Sequence, residues 1–300
     1  MSARAAFFLA LAAGLIAAAC SGQRPDTIVV GSKNFTEQVI LGELVSTFIE
    51  SRTDLSVTRK LDLAGTFVCH KALVAGELDL YIEYTGTALT AILEAGKMAD
   101  PAGVLQKVRE EYSRRFDLTW LPPLGFNNTF AIVVRPEDAA ANGLTKISDL
   151  ARVAGAFRAG FGSEFMERPD GYKGLGAIYG FTFTKQPREM DLGLIYRALV
   201  DRQVDVVAGS ATDGLIESLG LVVLEDDRRY FPPYDAAPVA RAATLRRHPD
   251  LRTALMELGG RITERQMRRM NLAAEAEHRS PHAIAVEFLR TEGLVGQEVK

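Results

Sequence analysis

Cysteine is nearly missing from this 300-residue chain; the two present are Cys20 and Cys69. Cys20 closes an apolar leader, so the remainder holds one thiol and can form no internal disulfide. An exported chain without such staples must rely on a large core. Cys69 falls inside a helical stretch, Thr66 to Leu73, and reads as a small buried hydrophobe. Histidine occurs four times. His278 and His282 are four apart, but Pro281 intervenes and the acidic partner of a zinc-protease motif is missing, so they read as exposed helix-end residues. There is no P-loop, no Gly-x-Ser-x-Gly, and no Gly-x-Gly-x-x-Gly after a strand. Asp213 and Asp235 have no His or Cys beside them and read as structural caps rather than bases. The net charge is −3, so nothing in the balance of charge suggests a nucleic-acid partner. Beyond the leader no apolar run reaches the roughly 20 residues of a membrane span.

What is present begins with that leader. Arg4 precedes the apolar, Ala/Leu-rich run Ala5 to Ala19, which is short for a span and suits a secretory signal over residues 1–19. Its end, Leu15-Ile16-Ala17-Ala18-Ala19-Cys20, resembles the lipobox of bacterial lipoproteins. That resemblance implies cleavage before Cys20 and lipidation of its thiol. Ala17 stands where a larger aliphatic residue is usual, and an ordinary signal-peptidase site is the alternative. The expectation is an exported protein on the periplasmic face of a bacterial membrane, anchored by Cys20 through a polar tether, residues 20–26.

The rest is long enough for a large core in two lobes. Strand-like runs alternate with helical ones, which predicts parallel sheets covered on both faces. Thr27 to Ser32 reads as the first strand and Thr36 to Ser51 as its helix, with Asn34 and Glu37 spaced as a capping box. Leu78 to Ile82 runs into Glu83-Tyr84-Thr85-Gly86-Thr87, a turn that opens a helix. Leu124 to Val134 reads as one strand turning from polar to apolar; Pro136 to Gly143 reads as loop, and Phe181 to Thr184 as strand. In such sheets ligands gather beyond the carboxyl ends of the strands. The polar connections there are Ser32–Gln38, Glu83–Thr87, Phe126–Phe130, Phe165–Gly171 and Ser210–Gly214, which implies a cleft between lobes. Crossings are expected near Thr129–Val134 and near Pro233–Val239. The expected lobes are 27–130 plus 237–300, and 131–236.

Several of these stretches carry a family resemblance. Gly31-Ser32-Lys33-Asn34-Phe35-Thr36-Glu37-Gln38, Glu83-Tyr84-Thr85-Gly86-Thr87, Gly125-Phe126-Asn127-Asn128-Thr129, Arg168-Pro169-Asp170-Gly171-Tyr172, Thr212-Asp213-Gly214 and Phe231-Pro232-Pro233-Tyr234-Asp235-Ala236-Ala237-Pro238 resemble the osmoprotectant-binding proteins of ABC importers, which take glycine betaine, carnitine and choline. The resemblance covers nearly all of the chain after the leader. It implies a type II periplasmic binding fold with two α/β lobes, a monomer, no cofactor and no catalysis. The implied partners are a small quaternary ammonium or zwitterion, a membrane permease and its ATPase.

A quaternary ammonium has charge but no N–H, so only ring faces and carbonyl oxygens can hold it. By resemblance Tyr84 and Tyr234 are cage walls and Phe130 a third, with the Asn128 carbonyl aimed at the ammonium. Lys33, Arg168 and Thr87 match the family's donors to a carboxylate, and Gln38 adds to them from the first helix. Ser210 departs from the pattern, because an aromatic often closes the cage there; Tyr172, Tyr179 and Tyr196 are candidate substitutes. Two other readings remain open, a ligand-sensing module and a periplasmic enzyme. The sequence has no DNA-binding helix pair for the first and no acid–base constellation for the second.

Overall fold

The computed structural model describes residues 26–298 apart from Lys97. The expected signal segment and the attachment point Cys20 lie outside the described residues. The chain forms two five-stranded sheets. The first has the order β2-β1-β3-β10-β4, with β1 Thr27–Gly31, β2 Ser56–Lys60, β3 Leu80–Tyr84, β4 Leu118–Trp120 and β10 Ala236–Arg241. The second has the order β7-β6-β8-β5-β9, with β5 Phe130–Val134, β6 Ala159–Phe161, β7 Arg188–Glu189, β8 Val206–Ser210 and β9 Val222–Leu224.

Both sheets follow one plan. The strand that enters after each passage between sheets, β5 or β10, runs antiparallel to its neighbours. The remaining pairs, β1 with β2 and β3, and β6 with β7 and β8, are parallel. The expected all-parallel sheets are therefore mixed. A strand arriving from the other sheet enters at the cleft edge, where parallel strands end, and so must run the opposite way. The chain passes from β4 to β5 through residues 121–129, and from β9 to β10 through residues 225–235.

The central strands of each sheet are covered on both faces, while the edge strands β2 and β7 are largely exposed. Every residue of β3 is buried. Leu80, Ile82 and Tyr84 join a core with Leu44, Phe48 and the C-terminal helices. Tyr81 faces the opposite core with Tyr112, Trp120 and Val239. The second sheet divides in the same way, Ile132 and Val134 on one side, Ala131 and Val133 on the other. Helices Glu264–Glu275 and Pro281–Thr291 pack on helix Thr36–Arg52.

Several local expectations differ from what forms. Pro136–Asn142 is a helix, because Pro136 takes its first turn, where no N–H is needed, and Gly143 closes it at φ +60°. Phe181 and Phe183 are core residues but not strand; the edge strand is Arg188–Glu189. Phe130–Val134 alone is strand, because the polar half of the predicted run is the crossing. Helix Thr36–Arg52 starts at Phe35 without a side-chain cap, so Asn34 and Glu37 do not form the expected box.

The second sheet is fastened by a buried cation. Arg135, at the end of β5, donates to the carbonyls of Leu199 and Val204 at 2.6 Å each and to Asp205 Oδ1 at 2.7 Å. Asp205 also accepts from the Arg158 amide and guanidinium beside β6. These charges hold its carboxyl well below the usual range against the cost of burial. Removing Asp205 takes one of the two carboxylates held against the buried guanidinium and leaves Asp138, whose Oδ2 lies 2.5 Å from Arg135 Nη2. Because Asp138 still faces the guanidinium, Asp205→Ala is expected to lose about 2 kcal/mol in urea unfolding, and a loss under ~0.5 kcal/mol would show the pair to be incidental.

Candidate ligand-binding site

The cleft edges of the two sheets meet around a cavity of about 460 Å³. Register explains which side chains reach it. In the first sheet Ala236 of β10 pairs with Tyr84 of β3. In the second, Phe130 of β5 pairs with Ser210 of β8. Each antiparallel strand thus begins where its parallel neighbour ends, and both ends open on the cavity. Lys33 follows β1, Thr87 follows β3, and Arg168 follows the short helix Ser163–Glu167 after β6. Tyr234 is placed by its own backbone: its N–H donates to Asn127 Oδ1 at 3.0 Å and its carbonyl accepts from the Asn128 N–H at 3.0 Å. Thr85 Oγ1 ties the same segment to β3, donating to the Pro233 carbonyl and accepting from the Asp235 N–H.

Lys33, Tyr84, Thr87, Asn128, Phe130, Arg168, Ser210 and Tyr234 all line this one cavity. Gln38 is not among its lining residues; it is buried, and neither its amide nitrogen nor its amide oxygen has a hydrogen-bond partner among the described residues. Tyr172, Tyr179 and Tyr196 do not stand in for the missing aromatic at Ser210. Tyr179 donates to Asp226 and Tyr196 to Asp213, while Tyr172 Oη accepts from the Phe183 N–H at 3.4 Å. Two aromatics that the sequence reading passed over, Phe35 and Phe165, do line the cavity. Phe35 stacks on Tyr84 at 6.4 Å, and Phe165 meets Phe130 edge-on at 4.8 Å. Phe130 in turn meets Tyr234 edge-on at 5.8 Å.

Both cations at the site have a buried counter-charge. Lys33 Nζ lies 2.5 Å from Glu83 Oε1 and 5.0 Å from the centre of the Tyr84 ring. Arg168 forms a two-toothed pair with Asp170, Nε to Oδ1 at 2.9 Å and Nη2 to Oδ2 at 2.6 Å. Its Nη1 donates to Thr87 Oγ1 at 3.1 Å, and its guanidinium carbon stands 5.1 Å from the Phe130 ring centre. Asp170 further accepts from Tyr234 Oη at 2.5 Å and Thr90 Oγ1 at 2.7 Å. Burial raises the Asp170 pKa, but Arg168 outweighs it and holds the carboxyl below its ordinary value.

Glu37 is a second hub, which the sequence reading took for a cap. It is 2% exposed and accepts from Tyr84 Oη at 2.6 Å, Asn128 Nδ2 at 2.8 Å, Asn271 Nδ2 at 3.1 Å, and Thr212 Oγ1. Burial drives its pKa up and these donors pull against it. The donors come from β3, the first crossing, the second sheet's Ser210–Gly214 turn and a C-terminal helix. One side chain thereby fixes the Tyr84 hydroxyl and the Asn128 amide. Gly86 is required here because a Cβ would lie 2.6 Å from the Pro233 carbonyl oxygen and 2.7 Å from the Tyr234 ring. Cys69 is inert: burial pushes its thiol up to about 12. Among the described residues no group of His, Cys, Asp and Glu side chains could hold a metal ion.

Two sheets of this order with a cavity at their facing edges define a type II periplasmic binding protein, a class that captures small molecules without transforming them. Residues 26–291 match the family model for the substrate-binding domain of ABC-type glycine betaine transport systems, and the chain belongs to that family. It is 36% identical to the carnitine transport binding protein OpuCC of Listeria monocytogenes, over 94% of each chain. It is likewise 36% identical to a glycine-betaine-binding protein of Pseudomonas aeruginosa, over 94% of this chain and 93% of that one. Among solved structures, a glycine betaine/carnitine/choline ABC transporter protein superposes with a TM-score of 0.72 at 33% identity, covering 89% of this chain and 99% of that one.

Behind Ser210 the acids crowd together. Asp213 accepts from the Ser210 N–H at 2.8 Å and Tyr196 Oη at 2.5 Å, and burial raises its pKa to about 6. Burial, then Asp213, raise Glu275 to about 7. A carboxyl with a raised folded pKa binds its proton before the unfolded chain does, so its contribution to stability falls as pH rises. Buried His70, pushed down to about 4, works the opposite way below about 6.5. The melting temperature is therefore expected to rise as pH falls from 8 to 6.5, and Glu275→Gln should flatten that slope. An unchanged slope in the variant would place the titration elsewhere.

Proposed function

We propose that this chain is the substrate-binding component of an ABC importer. It captures a quaternary-ammonium osmoprotectant of the glycine betaine, choline and carnitine kind and delivers it to a permease driven by an ATPase. The observation that carries this reading is the pairing of ring faces with matched charges in a single cavity. Tyr84, Phe130 and Tyr234, joined by Phe35 and Phe165, offer faces to a cation that cannot donate a hydrogen bond. Lys33, Arg168 and Thr87 offer donors to a carboxylate, and an arginine fork suits that group. Glu83 and Asp170 already neutralise the two cations. A zwitterion then adds no net charge to the site, and the further carboxylate of Glu164, 3.5 Å from Arg168 Nη1, can answer a ligand that is a cation outright, as choline is. The Asn128 carbonyl serves as an acceptor toward the ammonium, and Ser210 leaves the cage open on one side.

Binding couples to closure because the ligand's contacts come from both sheets. In this reading the protein works as an exported monomer, held at the membrane by a lipid on Cys20. Isothermal titration with glycine betaine, choline, carnitine and proline betaine tests the proposal; heat from none of them would sink it. Losing one ring of the cage costs about 0.5–2 kcal/mol. Phe130→Ala should therefore weaken the bound ligand on the order of tenfold. Ser210→Phe should tighten glycine betaine several-fold by supplying the absent wall; weaker binding would show that the cage is complete without it.

A further inference from the structure

The lips of the cleft touch through a contact that involves neither a cage ring nor Lys33. Glu164 belongs to the short helix Ser163–Glu167 that follows β6 in the second sheet. Its carboxylate reaches across to Thr66, which begins helix Thr66–Ala75 against the first sheet. Oε1 accepts the Thr66 backbone N–H, and Oε2 accepts the Thr66 hydroxyl at 3.3 Å. Oε2 also lies 3.5 Å from Arg168 Nη1.

Three features show that the two sides are built for each other. Helix Thr66–Ala75 has no acidic residue in its first turn and no side-chain cap of its own, so its free N–H groups and positive dipole end are served by a carboxylate from the opposite lip. Thr66 is nonetheless fully buried. Gly65 has ordinary extended backbone at φ −80°, which any residue adopts, so its conformation does not call for glycine. The reason lies across the cleft: a Cβ on Gly65 would collide with the Glu164 carboxylate and stand 2.8 Å from its Cδ. Gly65 and Glu164 both line the cavity, so this contact forms part of the wall a ligand must pass.

We propose that Glu164 and the Gly65–Thr66 turn form a latch that sets how long the lobes stay shut. Glu164 is a positioning residue here; it acts on the lifetime of the closed state through Thr66. The contact exists only when the lips meet, so it shifts the open–closed equilibrium by its own free energy whatever ligand lies inside. Its loss should therefore appear mainly in the rate of ligand escape. The latch concerns the site of the proposed function, and its effect on a ligand rests on that reading; its effect on the lips does not.

The test uses the full chain with Glu164→Ala, Gly65→Ala and the double variant, each checked for folding by its melting curve. Dissociation of glycine betaine and of choline is followed by stopped flow. A charge-assisted hydrogen bond lost from each closed molecule should raise koff on the order of tenfold in Glu164→Ala, with a smaller change in kon. Gly65→Ala should do the same by pushing the carboxylate away. In the double variant the obstacle is gone, so it should match Glu164→Ala alone, the non-additivity expected of two residues in one contact. Wild-type koff in Glu164→Ala, or a Gly65→Ala effect that adds in full on the Glu164→Ala background, overturns the latch. If the wild-type chain binds neither probe, the functional reading fails and hydrogen exchange at the Thr66 amide decides the latch alone. Faster exchange in Glu164→Ala supports it, and equal exchange overturns it.

Discussion

The buried pair of Arg168 and Asp170 is the constraint on which the cleft depends. Neither charge could stay in so dry a place without the other. Once paired, they still have hydrogen-bonding capacity left, and they spend it on the opposite lobe. Arg168 turns to Thr87, while Asp170 accepts from Thr90 and from the Tyr234 hydroxyl. A loop of the second sheet is thus joined to the helix after β3 and to the second crossing. The same guanidinium stands over Phe130 and Tyr234. Charge pairing and the placing of the ring walls are one interaction.

Glu37 repeats this logic behind Tyr84 and Asn128. Its acceptors gather donors from parts of the chain as distant as Tyr84 and Asn271. Each lobe therefore presents the cavity with side chains that partners from elsewhere have already oriented. Such preorganisation leaves less ordering to be done when a ligand arrives. The two sheets share their strand order, and in each the strand after a crossing runs backwards, so both deliver their strand ends to the same gap.

Much of this was legible in the chain itself. The segments at the strand ends could be located because apolar runs stop at polar turns, and the expected site residues other than Gln38 do share one cavity. What local pattern could not give was partnership. Glu37 stands three residues after Asn34 and so resembles a cap, yet its carboxylate turns into the core. Phe35 looks like a helix entry and is a cavity wall. Pro136 looks like a breaker and starts a helix, because the first helical turn needs no N–H from it. Phe181 and Phe183 are apolar enough for a strand but bury themselves without one.

The sequence by itself determined the α/β alternation and the family to which the chain belongs, since these depend on residue type and near spacing. Only the tertiary structure decided that the cations at the site are matched by Glu83 and Asp170, that Gln38 stands outside the cavity lining, and that Gly65 is small to admit Glu164. Those facts join residues as distant along the chain as Gly65 and Glu164. Hydrogen bonds and ion pairs act over a few ångströms of space, and spacing along a chain carries no record of which distant groups the fold will bring within that reach.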